Sequence, residues 1–153
     1  MEFQIKTIAA IDIAWKNYQG PDAEIGRAFN EVFSWVRMRG LRFGGPLVAV
    51  YFDEPKRVGR GEVKAEVWVP FLGDPEQWGG METRYLPPHR VAYIVHHGDT
   101  RNIHVAEEAL FQWLESQGLK FRPWLRRHVY LMRGDARNHA TWETEIQVPL
   151  LVS

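Results

Sequence analysis

The chain repeats itself. Set against its own second half at an offset of 78 residues (81 − 3), Phe3 falls on Met81, Ala14 on Ala92 and Gly20 on Gly98. Ile25 falls on Ile103, Ala28 on Ala106, Phe33 on Phe111 and Trp35 on Trp113. Gly40-Leu41 falls on Gly118-Leu119, and Phe43 on Phe121. Further on, Glu66-Val67-Trp68-Val69-Pro70 matches Glu145-Ile146-Gln147-Val148-Pro149 at an offset of 79 (145 − 66), one residue having been gained between. This reads as an internal duplication, with units of about 1–70 and 81–150. The 153 residues then make a single domain in which two small units share one core.

Each unit reads as strand, strand, helix, strand, strand. Residues 2–8 and 11–17 alternate apolar and polar, as half-buried strands do. The Ala9-Ala10 between them suggests a bend or short hairpin. Gly20-Pro21-Asp22 is turn chemistry, and Asp22 is placed to cap a helix over about 22–39. Ile25, Ala28, Phe29, Val32, Phe33 and Val36 form that helix's apolar stripe, and Gly40 ends it. Strands follow over 46–53 and 63–69. Gly73, Asp74, Pro75, Gly79 and Gly80 mark the joint, after which the pattern restarts. The second unit has strands near 81–86 and 90–96, a helix near 100–117 capped by Asp99 or Thr100, and strands near 127–132 and 143–149. The fold class is α+β: eight antiparallel strands in one sheet, two helices on one face, and a central cleft.

Net charge is zero, with 19 basic and 19 acidic residues, which argues against general nucleic-acid binding. Lys120, Arg122, Arg126, Arg127, Arg133 and Arg137 nevertheless crowd together with only Asp135 opposing them. They form either a solvated face or, on the sharper reading, a contact surface for an acidic protein partner. There are no cysteines, which excludes disulfides, thiol catalysis and thiolate-bound zinc. No apolar run approaches a membrane span and no signal peptide opens the chain, so a cytoplasmic location is expected. His97 and His104 lack the spacing of a helical zinc site, and Gly59-Arg60-Gly61 is too short to cradle a phosphate. No cofactor is expected.

Seven Trp residues and 13% aromatics are a rich supply. Such rings fill cores and also wall pockets for flat or cationic ligands. In the strand Thr144–Pro149, Ile146 and Val148 point to one face, and Glu145 and Gln147 to the other. Glu145 is the leading site candidate. In an apolar cleft its charge is penalised by desolvation, and a cationic ligand offsets that penalty. Gln147 shares its face, Glu66 and Trp68 are the duplicates of this pair, and Tyr51, Tyr93 and Tyr130 are candidate walls. Trp113, like Trp35 at the equivalent helix position, either covers the sheet or flanks the cleft to sandwich a planar ligand.

Val91-Ala92-Tyr93-Ile94-Val95-His96-His97-Gly98, the helix ending in Trp113-Leu114 and Gly118-Leu119, Tyr51-Phe52-Asp53-Glu54-Pro55 and Thr144–Pro149 occur in an order and spacing that resembles the GyrI-like effector-binding family. The resemblance covers essentially the whole chain. It implies an SHS2-type duplicated fold, seen also as the ligand domain of AraC-type and MerR-type multidrug regulators, with an aromatic pocket and a buried glutamate at the junction of the units. Family pockets of this kind take lipophilic cations. Some members are hydrolases that open strained cyclopropane rings, and one inhibits DNA gyrase. Two departures stand out. Arg126-Arg127-His128-Val129-Tyr130 occupies the region where multidrug-binding members often carry a further glutamate, and neither Gly20-Pro21-Asp22 nor Gly98-Asp99-Thr100 has the family's Tyr in the turn.

These observations favour a stand-alone small-molecule-binding domain for lipophilic, aromatic or cationic compounds, with no helix-turn-helix segment of its own. A hydrolase, with Glu145 activating water, is the enzymatic alternative. A gyrase-inhibitor-like interaction module using residues 120–137 is the third.

Overall fold

The computed structural model describes residues 1–54, 62–75, 78–132 and 142–152. Among these the strands are β1 (Gln4–Ile8), β2 (Ile11–Pro21), β3 (Arg42–Phe43), β4 (Val48–Tyr51), β5 (Glu62–Leu72), β6 (Glu82–Leu86), β7 (His89–His97), β8 (Arg126–Met132) and β9 (Glu143–Pro149). The helices are α1 (Gly26–Met38) and α2 (Ile103–Ser116), each entered through one short 3-10 turn. All strands join one sheet in the order β1-β7-β9-β8-β4-β5-β2-β6, with the two-residue β3 beside β5. Every pairing is antiparallel, and the sheet curls into a half-barrel.

Ala9-Ala10 is not a hairpin. β1 leaves its own half to pair with β7, and β6 returns the exchange by pairing with β2. The reason is local: a tight hairpin needs residues that accept positive φ, and two alanines do not supply them. Pro87-Pro88 makes the corresponding crossing on the other side. Gln4 faces Tyr93 and Trp15 faces Glu82, which is one pairing seen twice at the 78-residue offset. β4 and β8 meet in the middle, with Val48 opposite Val129 and Val50 opposite Arg127.

Both helices stop in the same way. Gly40 and Gly118 take φ of 71° and 67°, a conformation that penalises any Cβ. The next amide then reaches back six residues inclusive, Leu41 to Val36 O at 3.2 Å and Leu119 to Leu114 O at 3.1 Å. The helix starts differ from expectation. Residues 22–24 form a 3-10 turn, and the Asp22 carboxylate accepts from Tyr51 Oη at 2.8 Å instead of capping α1. Asp99 does cap its turn, accepting from the Arg101 amide at 2.8 Å.

Strand alternation divides the apolar residues between two faces. On one face Val32 and Val36 of α1 pack over Ala14, Ala49, Val67 and Phe71. Leu110 and Leu114 of α2 pack over Ala92, Ile94, Ile146 and Val148. On the other face lies a separate cluster of Ile13, Val48, Val50, Trp68 and Val129, with no helix over it among the described residues.

Candidate functional site

That uncovered face holds a cavity of about 330 Å³. The crossing segment Ile8–Ile11 and the Gly44-Gly45-Pro46 turn wall it on one side. Ile13, Val48 and Val129 form apolar floor, with Trp68 beside them. Among the described residues its ionisable lining consists of Lys6, Arg127 and Glu145, with Gln147 as the further polar side chain of β9. A volume of this size and a mostly apolar wall with a few convergent polar groups suit a small organic ligand.

Glu145, only 5% exposed, does not face this space alone. Lys6 Nζ of the exchanged strand β1 donates to Oε1 at 2.7 Å, and Gln147 Nε2 donates to Oε2 at 2.6 Å. The Lys6 ammonium also sits 4.1 Å from the centre of the Tyr93 ring. The other half builds the same arrangement. Arg84 of β6 donates to Glu66 at 3.1 Å, Trp68 Nε1 donates to Glu66 at 2.8 Å, and the Arg84 guanidinium lies 4.3 Å over the Trp15 ring. Each carboxylate is thus clamped by a cation from the strand that crossed over. Each cation is also backed by an aromatic face.

Arg127 is different. Its side chain lines the cavity, is 9% exposed and has no carboxylate within salt-bridge distance among the described residues. Nη1 meets His89 Nε2 at 2.7 Å, and the guanidinium lies 4.9 Å over the Trp68 ring. His89 Nδ1 is 2.9 Å from the Pro87 carbonyl, which can only accept, so Nδ1 carries the proton and Nε2 receives from Arg127. Burial, and then the Arg127 charge, push the His89 imidazole below its ordinary pKa, against the opposing hydrogen bond to Pro87. Burial lowers Arg127 to about 10, so it stays charged at neutral pH beside a neutral imidazole.

The structure therefore brings Glu145, Gln147 and Trp68 to the cavity and places Tyr93 and Glu66 on the same sheet face next to it. It does not bring the other candidates there. Tyr51 is buried on the helix face, bonded to Asp22 and 4.7 Å from the His128 ring. Burial, first of all, drives its phenol well above the ordinary range. Tyr130 packs edge-on against Phe29 at 5.8 Å on that same face. Trp113 stacks on Phe3 at 5.4 Å within the α2 layer. One step of strand alternation accounts for Tyr51 and Tyr130: Val50 and Val129, their neighbours, point the other way. Trp35 likewise serves packing, donating to Gly79 O at 2.9 Å.

The basic stretch is divided between buried and exposed side chains. Arg126 and Arg127 are buried, while Lys120 and Arg122 are not. Arg133 and Arg137, like Asp135 and Gly59-Arg60-Gly61, lie outside the described residues. Arg126 reaches through the helix face to Glu107 of α2, whose Oε2 also lies 3.2 Å from His128 Nε2. Burial alone would raise the Glu107 carboxyl, but His128 and Arg126 together hold it at about 2. This polar knot ties α2 to the centre of the sheet.

Lys6, Arg84, His89 and the inward-facing charge of Arg127 are features of this face that the sequence reading misses. For the first two the signal is present: Lys6 and Arg84 are both basic at the 78-residue offset. Among the described residues, no three His, Asp or Glu side chains converge as a metal site, and no helix is long and apolar enough to cross a membrane.

A half-barrel sheet with both helices on one face and a ligand-sized cavity on the other defines a class, the small-molecule-binding domain. The chain belongs to the GyrI-like small molecule binding domain family, whose model matches residues 1–151. Among solved structures it is similar to the EcmrR C-terminal domain, with a TM-score of 0.77 and 18% identity over 99% of this chain and 98% of that one. It spans 58% of the EcmrR chain seen in an EcmrR–DNA complex. SAV2435, solved bound to tetraphenylphosphonium, is similar at a TM-score of 0.60 and 12% identity, over 99% of this chain and 94% of that one. A hydrolase of Listeria innocua is similar at 0.68 and 12%, over 98% and 92%. A sequence comparison with curated proteins gave no match.

Proposed function

We propose that this chain is a binding domain for a lipophilic small molecule with an aromatic-sized apolar body, held in the cavity between the Ile8–Ile11 crossing and the β4–β5–β8–β9 face. The observation that carries the reading is the combination of about 330 Å³ of apolar-walled space with buried Arg127, Glu145 and Gln147 at its polar end. A domain of the DNA-binding protein EcmrR shares the fold, so a sensing role coupled to DNA binding is the biological setting we favour. Both Glu145 oxygens already accept hydrogen bonds, one from an ammonium, which favours binding over water activation. Tetraphenylphosphonium occupies a solved structure with this fold, but here a cation would have to displace Lys6 or Gln147 to reach a Glu145 oxygen.

Trp68 lines the cavity and reports on it. Titration of intrinsic fluorescence with aromatic cations, anions and neutral analogues should give saturable quenching with some members of the panel. Ala10→Trp, at an exposed rim position, should block it. Absence of saturable quenching and of any thermal shift across the whole panel would sink the proposal.

A further inference from the structure

We propose that the ligand of this cavity is an acid: an apolar, aromatic-sized molecule whose carboxylate docks on the Arg127 guanidinium. The inference rests on the cavity reading above and specifies its chemistry. Among the described residues three cavity-lining groups are ionisable, Lys6, Arg127 and Glu145. Lys6 and Glu145 neutralise one another at 2.7 Å. What remains is one guanidinium, 9% exposed, against apolar walls.

Its surroundings hold it in place without cancelling its charge. The Trp68 face and the neutral His89 Nε2 fix the fork, and neither supplies a negative charge. A buried cation of this kind is costly unless an anion completes it. A carboxylate answers that need with two parallel charge-assisted hydrogen bonds to the planar guanidinium.

The equivalent place in the other half shows that the fold itself does not ask for these residues. At the offsets of 79 and 78, Arg127 corresponds to Val48 and His89 to Ile11. Val48 lies in the apolar cluster with Ile11 packed against it. One copy therefore has an apolar pair and the other a polar pair, and the two members of the polar pair touch. The carboxylate clamps, by contrast, are present in both copies.

The test uses three matched probes at neutral pH: naphthoate, naphthamide and naphthylmethylammonium, followed by Trp68 quenching and by calorimetry. Naphthoate should bind wild type about tenfold or more tightly than naphthamide, and the ammonium should bind weakest. Arg127→Gln should erase the preference, Arg127→Lys should keep only part of it, and Glu145→Gln should strengthen naphthoate binding. The wild-type ranking decides the matter even where a variant fails to fold. Naphthamide or the ammonium binding as well as naphthoate overturns the acid assignment and leaves the cavity reading standing. Failure of all three to bind overturns both.

Discussion

Replacing Glu107 by glutamine tests the electrostatics that hold α2 to the sheet. The substitution keeps the shape and removes the charge. Glu107 is buried, and its Oε2 serves both Arg126 Nε and His128 Nε2. Its carboxyl sits at about 2 in the folded chain against an ordinary 4.5. Because the folded value is the lower one, the unfolded chain takes up the proton first as pH falls. The stabilisation is therefore complete above about pH 4.5 and is lost as pH drops to about 2. That gap corresponds to about 3 kcal/mol. The neutral amide would also take the Glu107 charge from beside the buried Arg126, so the cost at neutral pH should be about 3–5 kcal/mol. Urea unfolding of Glu107→Gln and wild type, from about pH 7 down to about pH 2.5, reads both effects. The wild-type stability should converge on the variant's as pH falls. Parallel profiles, or a variant within about 1 kcal/mol of wild type at neutral pH, would refute the assignment.

Lys6→Met should cost about 1–2 kcal/mol, since Glu145 is buried while Lys6 is partly solvated, and combining it with Glu145→Gln should recover part of that in a double-mutant cycle. Charge reversal at Arg126 should unfold the chain by circular dichroism, whereas Lys120→Glu and Arg122→Glu should change stability by no more than about 0.5 kcal/mol. His89 is held below its ordinary 6.5, so its contribution is present above that pH and declines as the unfolded chain protonates below it. His89→Phe should flatten that part of the pH–stability profile measured by urea unfolding.

The α+β plan is legible in the sequence because both halves carry the same apolar periods, and Gly40 and Gly118 end their helices as read. The strand exchange is not legible. Nothing local in Gln4–Ile8 says whether it pairs with β2 or β7, since either partner buries the same alternate residues. Glu145, Gln147 and Trp68 follow from the face assignment of one strand and its duplicate. Tyr51 and Tyr130 lie on the helix face instead, because being aromatic carries no information about face; strand parity does. The basic stretch misleads for a related reason. Charge suggests solvent exposure, but the partner of Arg126 is Glu107, 19 residues earlier in the chain, and only the fold joins them.

The two clamps give the ligand's charge a structural consequence. Lys6 is the side chain through which the edge strand β1 holds a charge on β9. A cation entering beside Glu145 would compete with Lys6 and free that end of β1. An anion on Arg127 would leave the clamp intact and, by adding negative charge nearby, strengthen the hold on Lys6. Hydrogen exchange of the β1 amides therefore separates the two modes: protection should fall with a bound aromatic cation and hold or rise with a bound aromatic acid. If both ligands bind and β1 exchange responds to neither, Lys6 does not couple the cavity to the exchanged strand. The clamps would then be scaffold alone, and specificity would rest on a place where the copies differ, the contact between His89 and Arg127.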